Sequence, residues 1–85
     1  MATTIDPEAR ILELLRRTAG TSDVVSNPEL RLYDSGLLDS LATVTLMAGL
    51  AEELGVEVSP AEFDREVWAT PRRFVEDVAR RLARR

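Results

Sequence analysis

Gly36-Leu37-Leu38-Asp39-Ser40-Leu41 sets a serine directly after an acidic residue and at the start of an apolar stretch. A serine nucleophile needs a base to take its proton, usually His or Lys. The chain has no His, no Lys and no Cys, so no such pair can be built from it. A serine displayed without a base suits modification by another enzyme better than catalysis. The bland alternative is that Asp39 is only a helix N-cap and Ser40 only a first-turn residue. The remaining carboxylates offer no competing chemistry. Glu52 and Glu53 are adjacent, so on a helix their side chains diverge by about 100°, which is not the facing pair of an acid–base site. Asp64 and Glu66 lie in no metal-ligand motif, and without His or Cys a zinc site is not expected.

Something must carry Ser40 and present it. A length of 85 residues predicts one small domain spanning 1–85 with one modest core. A hydrophobic content of 45% is that of a folding chain rather than a disordered one. The amino-terminal stretch has charges and no long apolar run, so neither a leader nor a membrane span is expected. A cytoplasmic, non-membrane-embedded monomer is the expectation. The net charge of −4 is unevenly spread: residues 1–66 hold thirteen acids against five arginines, and residues 67–85 two acids against six. The acidic body would repel phosphates, so nucleic acid is not an expected partner. The basic tail reads as a solvated helix face with cations at its favourable end.

Asp6-Pro7-Glu8 predicts the start of a first helix, with cap, first-position proline and first-turn acid in order. Ile11, Leu12, Leu14, Leu15, Thr18 and Ala19 share its apolar face, and Gly20 stops it. Residues 21–39 are irregular, with a brief helical turn expected at Asn27-Pro28-Glu29 and Leu30, Leu32 and Tyr33 pinning the loop to the core. A long loop of this kind is usually functional; here it delivers Ser40. The second helix should run from about Ser40 to Leu54 and stop at Gly55. Thr43, Leu46, Met47, Leu50 and Leu54 form its core stripe, and Leu41, Val44, Ala48 and Ala51 lie opposite. No charge falls between Asp39 and Glu52. That second apolar face is read as a docking surface beside the serine. Ser59-Pro60-Ala61-Glu62 looks like a capping box opening a short third helix to about Val67 or Trp68. Thr70-Pro71 opens the last helix, with Phe74, Val75, Val78, Ala79 and Leu82 inward and Arg73, Asp77, Arg80 and Arg84 outward. Val56-Glu57-Val58 alternates like a strand but is too short and unpartnered to imply a sheet. Trp68 should pack over the core edge with its indole N–H toward water or a carbonyl.

The Gly-Leu-Leu-Asp-Ser-Leu segment resembles the attachment site of acyl and peptidyl carrier proteins. There the serine of Asp-Ser-Leu receives 4′-phosphopantetheine from coenzyme A. The resemblance covers nearly the whole chain. Asn27-Pro28-Glu29-Leu30, residues 36–40 and the string Glu62-Phe63-Asp64-Arg65-Glu66-Val67-Trp68-Ala69-Thr70-Pro71 look like the D-alanyl carrier branch, and are also similar to discrete aminoacyl carriers of actinobacterial antibiotic pathways. It implies an all-α, four-helix acyl-carrier-protein-like bundle with a long first loop and a short third helix. It implies 4′-phosphopantetheine attached covalently to Ser40, with Asp39 as motif residue and cap. The implied docking residues are Leu41, Val44, Thr45, Ala48, Ala51 and Glu52. The implied partners are a phosphopantetheinyl transferase, an ATP-dependent amino-acid adenylating enzyme and an acyltransferase; the chain itself would be no enzyme. Fatty-acid carriers place acids along the outward face of the second helix, whereas this chain has Ala42, Thr45 and Ala51 there and keeps only Glu52 and Glu53. Docking should therefore lean on apolar contact and depend weakly on salt. Because every basic residue is arginine, the leading expectation is a discrete aminoacyl carrier in an actinobacterial macrolactam-type antibiotic pathway. The alternatives are D-alanine carriage for teichoic acid and, from another class, a helical interaction module whose Ser40 stays unmodified.

Overall fold

Short-range capping chemistry starts the three long helices. A computed structural model describes residues 6–84. Helix α1, Pro7–Ala19, opens where the Asp6 carboxylate accepts the Glu8 N–H at 3.1 Å, and closes at Gly20, whose φ of 77° lets its N–H reach the Arg16 carbonyl at 2.9 Å. Ile11, Leu14 and Leu15 are buried on its inner face. Helix α4, Pro71–Ala83, opens where Thr70 Oγ1 accepts the Arg73 N–H at 3.2 Å, with Pro71 pre-setting the first turn. Pro71, Phe74 and Val78 are its fully buried apolar residues. Residues 1–5 of the amino-terminal stretch and Arg85 of the basic tail lie outside the described residues.

The connection from α1 to Ser40 is partly helical, but not where the sequence placed the turn. One turn, α2, occupies Asp23–Ser26; Asn27 ends it, donating to the Asp23 carbonyl at 2.9 Å. Asn27 Oδ1 then accepts the Glu29 N–H at 3.2 Å, a side-chain bond that bends the chain instead of continuing a helix. Val24 on α2 and Leu32 in the loop are buried, whereas Leu30 and Tyr33 are half-buried. Two long-range backbone bonds anchor this loop: Leu32 N–H to the Ala69 carbonyl at 2.9 Å, and Arg72 N–H to the Pro28 carbonyl at 3.0 Å.

Helix α3, Ser40–Gly49, continues as a π-turn over Leu50–Leu54 and stops at Gly55 with φ 68°. In a pure α-helix Leu54 would sit about 80° around from Leu46. The wider turn rotates less per residue and draws Leu54 back toward the column of Leu46 and Leu50, all buried. Arg10 of α1 donates to the Glu53 carbonyl within this turn at 2.9 Å. Gly49 lets α1 and α3 approach closely: a Cβ there would stand 2.7 Å from Leu14 Cδ1. Val56 and Val58 are buried in an extended segment, and no strand forms among the described residues.

The expected third helix is only a 3-10 turn, Pro60–Glu62. Ser59 Oγ accepts from Ala61 N–H at 3.2 Å, one residue short of the capping-box pattern. Phe63 turns extended, and Asp64 Oδ1 captures the Glu66 N–H at 2.9 Å, so the polar side chain takes a donor that a helix would have used. Among the described residues the result is an all-α bundle of four helices, α2 being a single turn, around one core of Ile11, Leu15, Leu46, Leu50, Trp68 and Phe74.

Trp68 and Asp77 depart most from the sequence expectation. Trp68 is 1% exposed, not at the core edge, and packs edge-on against Phe63 and Phe74 at centroid distances of 5.1 and 4.9 Å. Its Nε1–H faces neither water nor a carbonyl but donates to Asp77 Oδ2 at 3.0 Å. Asp77 was expected outward, yet it is buried at 6% exposure because it also accepts from Arg81 at 2.8 Å and Arg80 at 3.3 Å. Burial pushes the Asp77 carboxyl pKa up, but the Arg81 and Trp68 hydrogen bonds and the two arginine charges outweigh it, leaving the group below its ordinary value of 3.8. A carboxyl lowered on folding contributes stability above its unfolded pKa and loses it as pH falls through the folded pKa. Thermal melts between pH 7 and pH 2 should therefore show the wild type losing more stability on acidification than Asp77→Asn. The variant should start about 1–3 kcal/mol less stable near neutrality, the range for a disturbed buried hydrogen bond. Parallel pH profiles would refute this role.

Candidate functional site

The loop that ends at Asp39 is shaped by Gly36, whose φ of 84° lets its N–H return to the Tyr33 carbonyl at 3.1 Å, and by Leu38, which donates to the Leu32 carbonyl at 3.0 Å. Asp39 is then the N-cap of α3. Its Oδ1 accepts the Ala42 N–H at 2.8 Å, and its carbonyl accepts both the Thr43 N–H at 2.9 Å and the Thr43 hydroxyl at 2.8 Å. Since the single Thr43 hydroxyl proton goes to that carbonyl, the 2.7 Å contact between Tyr33 and Thr43 has the phenol as donor. Burial raises the Tyr33 pKa, with the Arg65 charge opposing it only in part, so the phenol keeps this proton at neutral pH. Sequence reasoning placed Tyr33 as a loop anchor and Thr43 in the core stripe. Together they lock the turn that aims Ser40.

Ser40 is exposed as the first residue of α3. First-turn N–H groups of a helix lack intrahelical partners and favour an anion nearby. A groove of about 490 Å3 adjoins it, with Tyr33, Leu38, Met47, Phe63 and Arg65 among its lining residues. The outward side of α3 is apolar: Leu41 is 76% and Val44 57% exposed, and Thr45, Ala48 and Glu52 are exposed as well. Ala51 is half-buried rather than exposed, since it lies within the π-turn and does not continue the outer strip. Glu53 pairs with Arg17 at 2.5 Å. Glu66 pairs with Arg73 at 3.6 Å, so this carboxylate and Asp64 support the 62–70 segment. Sequence reasoning assigned Arg65 no role at the site; its place in the motif string gave no sign that it would reach the Ser40 groove.

An exposed Ser-Leu step behind an acidic cap, on a small helical bundle, matches a known family over most of its length. Residues 9–78 fit the phosphopantetheine attachment site family. The chain belongs to that carrier family. It lies in the D-alanyl carrier-like branch: it is 44% identical over 68 residues to the D-alanyl carrier protein of Enterococcus faecalis, covering 80% of this chain and 87% of that protein. The corresponding protein of Listeria monocytogenes is 45% identical over 65 residues, covering 76% and 83%. That of Lacticaseibacillus casei is 41% identical over 68 residues, covering 80% and 84%.

As a member of this family the carrier bears 4′-phosphopantetheine covalently, and the reading as an unmodified interaction module gives way. The residues present fit that group. An exposed hydroxyl stands beside helix-start N–H groups suited to a phosphodiester, with a groove next to it. Among the described residues, no helix is long and apolar enough to cross a membrane.

Proposed function

We propose that Ser40 is the attachment residue and that the carrier holds an amino acid, D-alanine, as a thioester on its arm. The observation that carries this reading is the exposed Ser40 behind the Asp39 cap, in a chain 44% identical to a D-alanyl carrier protein across 80% of its length. Among the expectations from sequence, the relatives favour D-alanine over the β-amino acid of an antibiotic pathway, which arginine-only basicity had put first.

The chain's own contribution is presentation. Asp39 holds the first turn of α3 so that Ser40 Oγ projects into solvent. With no His, Lys or Cys in the sequence, the base that takes the Ser40 proton comes from the phosphopantetheinyl transferase. The arm supplies the thiol that the polypeptide lacks. An ATP-dependent adenylating enzyme loads it and an acyltransferase unloads it. Leu41, Val44, Thr45, Ala48, Ala51 and Glu52 form the surface on which these partners dock, and tethering raises the effective concentration of the cargo at each.

A loading panel tests the cargo. Arm-bearing carrier is offered D-alanine, β-amino acids and malonyl groups with the matching loading enzymes, and intact mass is recorded. D-alanyl thioester should form fastest and malonylation should be poor. Efficient malonylation without aminoacyl loading would overturn the proposal.

A further inference from the structure

Arg65 brings a positive charge to the groove beside Ser40, where the other charged lining residue is Asp39. Its guanidinium carbon lies 4.8 Å from the centroid of the Tyr33 ring. Among the described residues no carboxylate forms an ion pair with it. Carboxylates of the neighbouring surface are already engaged: Asp34 with Arg31 at 3.1 Å and Glu66 with Arg73 at 3.6 Å. Among the described residues Arg65 is thus a pre-positioned cation with no ion-pair partner.

We propose that Arg65 is a positioning residue for the prosthetic arm, its guanidinium held against Tyr33 and pairing with the phosphodiester that joins the arm to Ser40. This rests on Ser40 being the attachment residue. Before attachment the charges of Asp39 and Arg65 cancel within the groove. Attachment adds a second negative charge one residue from Asp39, and Arg65 offsets the resulting repulsion. Arginine suits the task because its planar fork matches phosphate oxygens and its face stacks on an aromatic ring. A guanidinium already held on Tyr33 loses less freedom on pairing than a free side chain would. Pairing biases the root of the arm toward the groove. Because Arg65 is exposed, the pair should weaken as salt is raised.

The test uses the full-length 15N-labelled chain, converted from apo to holo form by a phosphopantetheinyl transferase and coenzyme A, with intact mass verifying conversion. The Arg65 Nε–Hε resonance should shift on conversion more than that of any other arginine, and the shift should shrink as sodium chloride is added. The 31P resonance of holo Arg65→Gln should move toward that of free phosphopantetheine esters, with Arg65→Lys in between. The shift in the unsubstituted chain carries the test if Arg65→Gln does not fold. Full conversion with an unshifted Arg65 resonance and an unchanged 31P signal would overturn the role of Arg65 while leaving Ser40 intact. An unconverted wild type would instead overturn the Ser40 assignment, and this inference with it.

Discussion

Ser40→Ala should gain no mass when incubated with coenzyme A and a broad-specificity phosphopantetheinyl transferase, whereas the wild type gains one arm. The loss should be complete, because the remaining serines lack the setting of Ser40. Ser22 and Ser26 flank or end the single turn α2, Ser35 sits in the loop, and Ser59 caps a 3-10 turn. None opens a long helix behind an acidic cap. The fold should survive. Ser40 is exposed and its side chain caps nothing, since the Ala42 N–H is held by Asp39. Alanine is also the better helix former, so stability should change by no more than about 0.5 kcal/mol. Asp39→Ala makes the contrasting control: it removes the cap and should cost about 1 kcal/mol. Modification persisting in Ser40→Ala, read by intact mass, would refute the assignment.

Leu46→Asp should unfold the carrier, while Val44→Asp should leave it folded and slow its transfer reactions. The two residues are two positions apart in sequence and opposite in environment: Leu46 is fully buried and Val44 is 57% exposed. A carboxylate at Leu46 would have no partner in the core. The cost of an unpaired buried charge is several kcal/mol, a large part of the roughly 5–15 kcal/mol that holds a domain together. At Val44 the same carboxylate stays hydrated in the free protein and is desolvated only when a partner covers the outer strip of α3. Circular dichroism reports the first effect, and loading kinetics at matched folded concentration report the second. A folded Leu46→Asp beside an unfolded Val44→Asp would mean the faces of α3 are reversed. Unchanged transfer by folded Val44→Asp would remove Val44 from the docking surface.

What the sequence determined by itself is what short-range chemistry decides. Asp6, Asp39 and Thr70 cap their helices through bonds spanning two or three residues, and Gly20 and Gly55 stop them. Such contacts are written into neighbouring letters. The helical period alone divided Leu46, Met47 and Leu50 from Leu41, Val44 and Ala48. The proposed role of Ser40 was legible because it needs only exposure, a cap and the helix that follows. The tertiary structure decided what depends on partners distant in sequence. Asp77 belongs by pattern to the polar side of α4, and only the Trp68 indole and two arginines make its burial tolerable. Phe63 follows a helix-start signal, yet the Asp64 side chain takes a donor that a helix would need, and the third helix stops at one turn. The π-turn arises from keeping Leu54 in register with a core that α1 already touches through Gly49. Arg65 reaches the serine's groove because the fold lays the 60–65 segment across Tyr33, thirty-odd residues away in sequence. Apart from the Asp64 bond, which is local but competes with an equally local helix signal, each of these depends on a contact between separated segments, which no local spacing encodes.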